Sequence, residues 1–181
     1  MISLRKPSRS VVERLLAQQA ERPYNYPDVG ATQATPPAGW NVDRTVAEIG
    51  SEFEAAKAAI DAWQPFGHDW ITVVAPGPPR VGTCVAVVAH VAGLWWVDIS
   101  RVVYTIDEPD RYGFAYGTLP MHAERGEERF EVIRTADTVR YEVLAFSKPN
   151  HILAKLGAPF ARRAQKAFAR GSIAAMQRAA R

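Results

Sequence analysis

The 181-residue sequence predicts an α+β fold in which a strongly curved antiparallel sheet wraps around a long C-terminal helix. Between residues 70 and 147, short apolar stretches alternate with turn residues, which is typical of consecutive strands joined by tight connections. After Asn150 the apolar side chains recur at helical spacing. Because a curved sheet must cover its concave face, we expect this last helix, the largest remaining apolar element, to lie against it.

Two shorter segments precede the main strands. Apolar residues at helical spacing predict a short amphipathic helix over residues 9–21. The proline-rich stretch up to residue 39 is expected to be an ordered loop, because it carries two tyrosines. We expect both segments to pack on a domain that spans residues 40–181, so that the chain forms a single domain. Ser51 and Glu54 have the spacing of a capping box, which predicts that a second helix begins at Ser51.

The predicted sheet has seven strands, and the C-terminal helix follows the last of them. Pro159 is expected to kink this helix near its start, because proline has no N–H to donate to the preceding turn. The strands are predicted over residues 40–49, 70–75, 81–91, 94–107, 111–119, 127–134 and 139–147.

The charged residues are unevenly distributed. Eight of the 22 lysines and arginines, but none of the 19 aspartates and glutamates, follow residue 147, so the last helix is basic and the rest of the chain is acidic. No aromatic side chains interleave with the arginines on an exposed face of that helix, so nucleic-acid binding is not expected. The simpler interpretation is that the cations offset the negative C-terminal end of the helix and pair with the acidic remainder of the chain.

Composition also bears on compartment and cofactors. Cys84 is the single cysteine, so the chain can form neither an internal disulfide nor a cysteine-cluster metal site, which fits a reducing, cytoplasmic location. The apolar stretch Val81–Val97 is shorter than the roughly 20 residues that a membrane-spanning helix needs. We therefore expect no transmembrane segment. Because the sequence contains neither a glycine-rich phosphate loop nor a metal-ligand spacing, we also expect no metal and no cofactor.

The order of elements over residues 40–180 is strand, helix, six antiparallel strands and a long helix. This order is similar to the helix-grip fold of the pollen-allergen, START and polyketide-cyclase superfamily. In that fold a seven-stranded sheet grips the helix, and a hydrophobic cavity commonly lies between them. The resemblance therefore implies a place for a small ligand between the sheet and the helix.

Several short motifs resemble a more specific family. They are Tyr26-Pro-Asp-Val-Gly-Ala-Thr32, Tyr112-Gly-Phe-Ala-Tyr-Gly-Thr-Leu-Pro120, His122 with Gly126-Glu-Glu128 and Phe130, and Ala145-Phe-Ser-Lys-Pro149. Together they cover nearly the whole chain and resemble the uncharacterised protein family 0548, which is found in bacteria and plants. This resemblance implies no particular activity.

The richest polar cluster lies at the start of the predicted strand 127–134. Because successive side chains of a strand point to opposite faces, Glu127 and Glu128 lie on opposite faces and one of them points inward. A carboxyl group in an apolar pocket has a raised pKa and can act as a general acid or base, and His122 can pair with it. The alternative is a charged rim that faces water. The pattern does not say which glutamate is the inner one.

Aromatic residues supply the candidate ligand contacts. Tyr24 and Tyr26 combine an apolar ring with a hydroxyl, which suits the rim of a ligand site; alternatively, they pack over the sheet or the N-terminal helix. About half of the strand aromatics are expected to line the interior, where they either contact a ligand or fill the core. The strand candidates are Tyr104, Phe114, Tyr116, Phe130, Tyr141 and Phe146.

These observations favour a cytoplasmic protein that binds a small hydrophobic or amphipathic ligand between the sheet and the last helix. Two alternatives stay open. The same scaffold can be an enzyme that uses Glu127 or Glu128 with His122 and Tyr26 for proton transfer. It can also be an adaptor whose basic helix docks on an acidic partner.

Overall fold

The structure, a computed structural model, describes residues 1–150 and 158–180, and of residues 158–165 only the backbone. It confirms the predicted α+β class, with one antiparallel sheet and a long C-terminal helix. The predicted kink at Pro159 depends on residues 151–157, which lie outside the described residues.

All seven predicted strands are present, and one short strand is added at the N-terminus. The strands are β1 (Ile2–Ser3), β2 (Asn41–Gly50), β3 (Ile71–Val74), β4 (Cys84–Val91), β5 (Leu94–Glu108), β6 (Arg111–Thr118), β7 (Glu124–Arg134) and β8 (Val139–Pro149). The sheet order is β2-β8-β7-β6-β5-β4-β3, and β1 pairs with the part of β5 that β6 does not reach. There the Val97 N–H donates to the Met1 carbonyl at 2.9 Å.

The helices are α1 (Arg9–Gln19), α2 (Phe53–Asp61) and α3 (Ala158–Ala179). The capping box predicted at Ser51 is not formed. The N-cap residue of α2 is Glu52, without a side-chain cap, and the Ser51 hydroxyl lies 3.4 Å from the Glu52 carboxylate. Burial of Phe53, the first residue of α2, in the main core is the physical reason that we assign to the later start.

The main core lies on the inner face of the sheet, which we define as the face toward α2 and α3. The rings of Phe114 and Phe130 stack there with their centroids 5.2 Å apart, and Phe66 packs on Phe130 at the same distance. The Tyr141 hydroxyl on β8 forms a 2.7 Å hydrogen bond with the Ser172 hydroxyl. Both side chains are buried, so this bond fixes the C-terminal half of α3 against the sheet.

Residues near the N-terminus cover part of the opposite, outer face. Val12 of α1 belongs to a second apolar cluster with Val97 and Ile99 of β5. Residues 24–34, which we call the strap, then run across β6 and β7. The Asn25 side chain fixes the start of the strap by donating to the Leu119 carbonyl at 3.1 Å.

Candidate functional site

The two neighbouring glutamates at the start of β7 lie on opposite faces of the sheet, as the alternation predicts. Glu127 is on the outer face, where the strap binds it. Glu128 is on the inner face, where it contacts Tyr116 of the main core. The structure thus answers the question that the sequence pattern left open, because Glu128 is the glutamate that points toward the helices.

The outer carboxylate is fully occupied by donors of the strap. Glu127 is 2% exposed. Its Oε2 accepts hydrogen bonds from the Tyr26 hydroxyl at 2.8 Å and the Gly30 N–H at 2.6 Å. Its Oε1 accepts from the Thr32 N–H at 2.9 Å and from the Thr32 hydroxyl. Burial, together with the charge of Glu127, raises the pKa of Tyr26. With two donors on each oxygen, Glu127 serves as the anchor of the strap.

The anchor continues into a wider polar network on the outer face. The Thr32 hydroxyl forms a 2.7 Å hydrogen bond with the Tyr104 hydroxyl, and Arg129 donates to the Thr32 carbonyl at 2.8 Å. Arg129 also donates to Glu142 at 2.8 Å, and Arg44 donates to the other oxygen of Glu142 at 2.7 Å. Burial opposes ionisation of Glu142, but the two arginines outweigh it and lower the pKa of that carboxyl.

Gly117 makes room for the strap, because the Tyr26 ring lies directly over it. A Cβ at this position would overlap the Tyr26 hydroxyl. We therefore expect Gly117→Ala to displace Tyr26 from Glu127 and to lower the free energy of unfolding by about 1–2 kcal/mol. Gly77→Ala is the matched control, since nothing lies within 4 Å of its new Cβ. Urea unfolding of both variants measures the difference, and equal stabilities would contradict this account of Gly117.

The inner carboxyl group has very different surroundings. Glu128 is partly buried, and its Oε2 accepts a 2.7 Å hydrogen bond from the Tyr116 hydroxyl. Burial raises the pKa of Glu128, the hydrogen bond from Tyr116 lowers it, and the charges of Glu124 and Asp43 raise it; the net effect is a pKa of about 7. The Tyr116 ring packs on Phe130 with the centroids 5.5 Å apart. A carboxyl group that is half protonated near neutral pH therefore lies beside apolar rings.

His122 is placed beside Asp98 and not beside either glutamate. Its Nδ1 accepts a hydrogen bond from the Glu124 N–H at 3.0 Å and lies 4.0 Å from Asp98 Oδ1. Asp98 in turn accepts from the Ala123 N–H at 2.9 Å. These contacts hold the turn between β6 and β7. Within the described residues, the predicted pairing of His122 with an inward glutamate does not occur, because the turn directs the ring toward β5.

The eight aromatic candidates are divided between the two faces, so they do not line one cavity. On the inner face, their rings pack on one another and on side chains of α2, of α3 and of the turn that follows α2. Among the described residues, these side chains form the main core. On the outer face, Tyr26 packs edge-on against Phe146 at 5.8 Å, and Arg101 lies over the Tyr24 ring. The inner set is Phe114, Tyr116, Phe130 and Tyr141, and the outer set is Tyr24, Tyr26, Tyr104 and Phe146.

A surface groove of about 300 Å³ lies on the outer face between α1 and strands β3 and β4. Leu16, Ala17, Val74 and Cys84 contribute to its lining. Burial raises the pKa of the Cys84 thiol, which keeps it protonated at neutral pH. Over residues 1–150 and 158–180, no cluster of three or more histidine, cysteine or acidic side chains is arranged to bind a metal ion, and no helix has the length and apolar character needed to cross a membrane.

An antiparallel sheet that packs against a long C-terminal helix is the arrangement of the helix-grip class of folds, and comparison with solved structures shows that this chain has that fold. A hypothetical protein from Helicobacter pylori has a TM-score of 0.60 at 10% identity and covers 88% of this chain and 96% of its own. Ara h 8.0201 has a TM-score of 0.50 at 16% identity, over 76% of this chain and 96% of its own. The di-domain ARO/CYC BexL, from the BE-7585A biosynthetic pathway, has a TM-score of 0.53 at 16% identity, over 81% of this chain and 52% of its own.

The chain belongs to the family described as "Domain of unknown function (DUF1990)", whose model matches residues 25–175. A UPF0548 protein of Dictyostelium discoideum is 32% identical, over 93% of this chain and 90% of its own length. A UPF0548 protein of Deinococcus radiodurans is also 32% identical, over 99% of both chains. The resemblance to protein family 0548 is thus confirmed, and the region that the family model matches contains residues 25–34 of the strap and both glutamates.

Proposed function

We propose that the protein binds a small amphipathic molecule on the inner face of the sheet, with the polar group of the molecule at Glu128 and Tyr116. The partly buried carboxyl group of Glu128, with the Tyr116 hydroxyl as its hydrogen-bond donor and a raised pKa, is the feature that supports this proposal most directly. Keeping a carboxyl group partly buried with a single tyrosine donor lowers the stability of the fold, whereas Glu127 is matched by four donors. Groups that lower stability in this way are enriched at functional sites.

The chemistry of the pair indicates what kind of polar group fits. At neutral pH Glu128 exists in both forms, so it donates a hydrogen bond when protonated and accepts one when ionised. A hydroxyl group of the ligand can form a hydrogen bond with either the protonated or the ionised carboxyl group, because it both donates and accepts. Because Tyr116 is 7% exposed and Phe130 is fully buried, apolar contact for the rest of the molecule requires these neighbouring rings to shift. The helix-grip fold supports the same placement, since a ligand cavity commonly lies between the sheet and the helix in that class.

Titration with Nile red, a neutral fluorescent amphiphile, tests the proposal. Ala145 is directly opposite Glu128 on β8, so Ala145→Phe fills this end of the inner face. We expect Ala145→Phe to weaken Nile red binding at least about tenfold, or about 1.4 kcal/mol. Ala17→Phe places the same ring in the outer groove and should leave binding unchanged. Absence of Nile red binding, or loss of binding in Ala17→Phe alone, would exclude the inner-face site. Melting curves of both variants serve as the check that they are folded.

A second function, proton transfer, is favoured by one specific feature of the same site. Glu128 has a pKa near physiological pH, as a general acid or base requires, and it accepts a hydrogen bond from the Tyr116 hydroxyl. Glu128 is therefore the glutamate that we propose for this role, without His122. Turnover that survives in Glu128→Gln would exclude it.

Three broader expectations also remain proposals. Asn25 and Val12 attach the N-terminal segments to the sheet, which supports one domain made of residues 1–39 and 40–181. Cys84 is a free thiol, which supports a reducing, cytoplasmic compartment. The adaptor alternative rests on the basic helix α3, in which Lys166, Arg170 and Arg178 are exposed.

A further inference from the structure

We propose that two copies of this chain associate edge to edge through β2, in an antiparallel pairing whose two-fold axis passes beside Arg44. This pairing would join the two sheets into one continuous sheet. The inference concerns a surface of the molecule that the proposed ligand site does not use. Two features of β2 support it: its open edge and its exposed valines.

The edge of β2 is long, and its protection is limited to the charges of Asp43, Arg44 and Glu48 and to an irregularity near Gly50. β8 covers one side of its ten residues, and within the described residues no strand covers the other. Exposed edges are normally shortened, twisted by bulges or interrupted by proline or lysine, because their free N–H and C=O groups can pair with another chain. β3, at the opposite edge of the sheet, has only four residues. β2 contains neither proline nor lysine, and its irregularity is confined to the end near Gly50.

Two valines on the outer face of β2 are exposed. Val42 and Val46 are 49% and 45% exposed and lie on either side of Arg44. The guanidinium of Arg44 is held by its own chain, because it donates to Glu142 at 2.7 Å. The apolar pair therefore flanks a charge that is already compensated.

The register follows from these side chains and from α3. With Arg44 at the axis, Val42 lies opposite Val46 of the second copy, and this contact occurs twice. Moving the axis to Thr45 would place Val42 opposite Glu48. If the axis passed beside Val46, the paired residues would include Glu48. The Glu48 carbonyl already accepts a 3.1 Å hydrogen bond from Gln177 of α3, so this register would compete with that bond.

Only the register centred on Arg44 pairs the two valines with each other and leaves the Gln177 bond intact. The two Arg44 side chains face each other in this register, which is unfavourable for like charges. Their bonds to Glu142 reduce that repulsion.

Sedimentation velocity tests the association. We expect the wild-type chain to form dimers at about 100 μM, and Val42→Lys or Val46→Lys to raise the dimer Kd at least about tenfold. Val81→Lys is the matched control, since Val81 is 66% exposed and lies outside β2. A monomeric wild-type chain at that concentration, or lysine variants of β2 that sediment like the control, would overturn the proposal.

Disulfide cross-linking tests the register. In a Cys84→Ser background, a mixture of the Val42→Cys and Val46→Cys chains should form a cross-linked heterodimer under mild oxidation, because the two positions face each other. Neither variant should cross-link efficiently alone. Efficient self-linking of Val46→Cys would overturn the Arg44-centred pairing, since it would place Val46 at the axis.

Discussion

Replacing Glu127 with glutamine is expected to lower the free energy of unfolding by about 3 kcal/mol, because two strap donors then face an amide NH₂ group. Each carboxylate oxygen accepts two hydrogen bonds: Oε2 from Tyr26 and Gly30, and Oε1 from the N–H and hydroxyl of Thr32. Whichever way the amide is turned, one pair of donors loses its acceptor. Urea unfolding measures the loss.

Local release of the strap should accompany this loss of stability. In hydrogen exchange, we expect the amides of Gly30 and Thr32 to exchange faster in Glu127→Gln than in the wild-type chain, because one of the two N–H groups loses its acceptor and the strap is then less firmly held. Tyr26→Phe is the graded control, since it removes one donor and leaves the carboxylate in place; we expect a loss of about 1 kcal/mol. If Glu127→Gln were no less stable than Tyr26→Phe, Glu127 would not be the anchor.

Replacing Glu128 with glutamine should raise the free energy of unfolding above neutral pH, in contrast to the loss expected for Glu127→Gln. The pKa of Glu128 is raised from 4.5 to about 7 in the folded chain, so the fold favours the neutral form. The stabilisation that protonated Glu128 gives to the fold is therefore fully present below pH 4.5 and is lost as the pH rises through about 7. At about 1.4 kcal/mol per pKa unit, and allowing for partial exposure, the wild-type chain should lose about 2–3 kcal/mol over this range.

The measurement is the difference in unfolding free energy between Glu128→Gln and the wild-type chain at a series of pH values. Glutamine can still accept the hydrogen bond from Tyr116 and carries no charge at any pH. The difference should therefore grow in favour of the variant between pH 4.5 and 8, reaching about 2–3 kcal/mol. A difference that stays constant across this range would show that Glu128 titrates normally in the fold.

The strands were predictable because their alternation and turn residues are local properties of the sequence. β1 was not predicted, since two residues are too few to show a period; it forms because β5 extends beyond β6. The start of α2 was predicted too early, because Ser51 and Glu54 satisfy the spacing of a capping box while the burial of Phe53 favours the later start.

The candidate site was predictable only in part. Alternation shows that Glu127 and Glu128 lie on opposite faces, but which of them is inward depends on which face the helices cover. The anchor was missed because two of its donors are backbone N–H groups, of Gly30 and Thr32, which carry no mark in a sequence. Their one signal is that both lie in the motif that begins at Tyr26. The orientation of His122 depends on a turn whose conformation its residues do not specify.

The placement of two glutamates with such different surroundings on adjacent residues has a consequence for insertions and deletions. Side chains alternate along β7, so a single inserted or deleted residue that shifted its pairing by one position would exchange Glu127 with Glu128. The strap would then lose its acceptor, and the main core would receive a carboxylate in place of a half-neutral acid. The connection at residues 119–123 can therefore change in length during evolution only if each side chain of β7 stays on its present face of the sheet. Even-numbered shifts within the strand preserve the faces, whereas odd-numbered shifts do not.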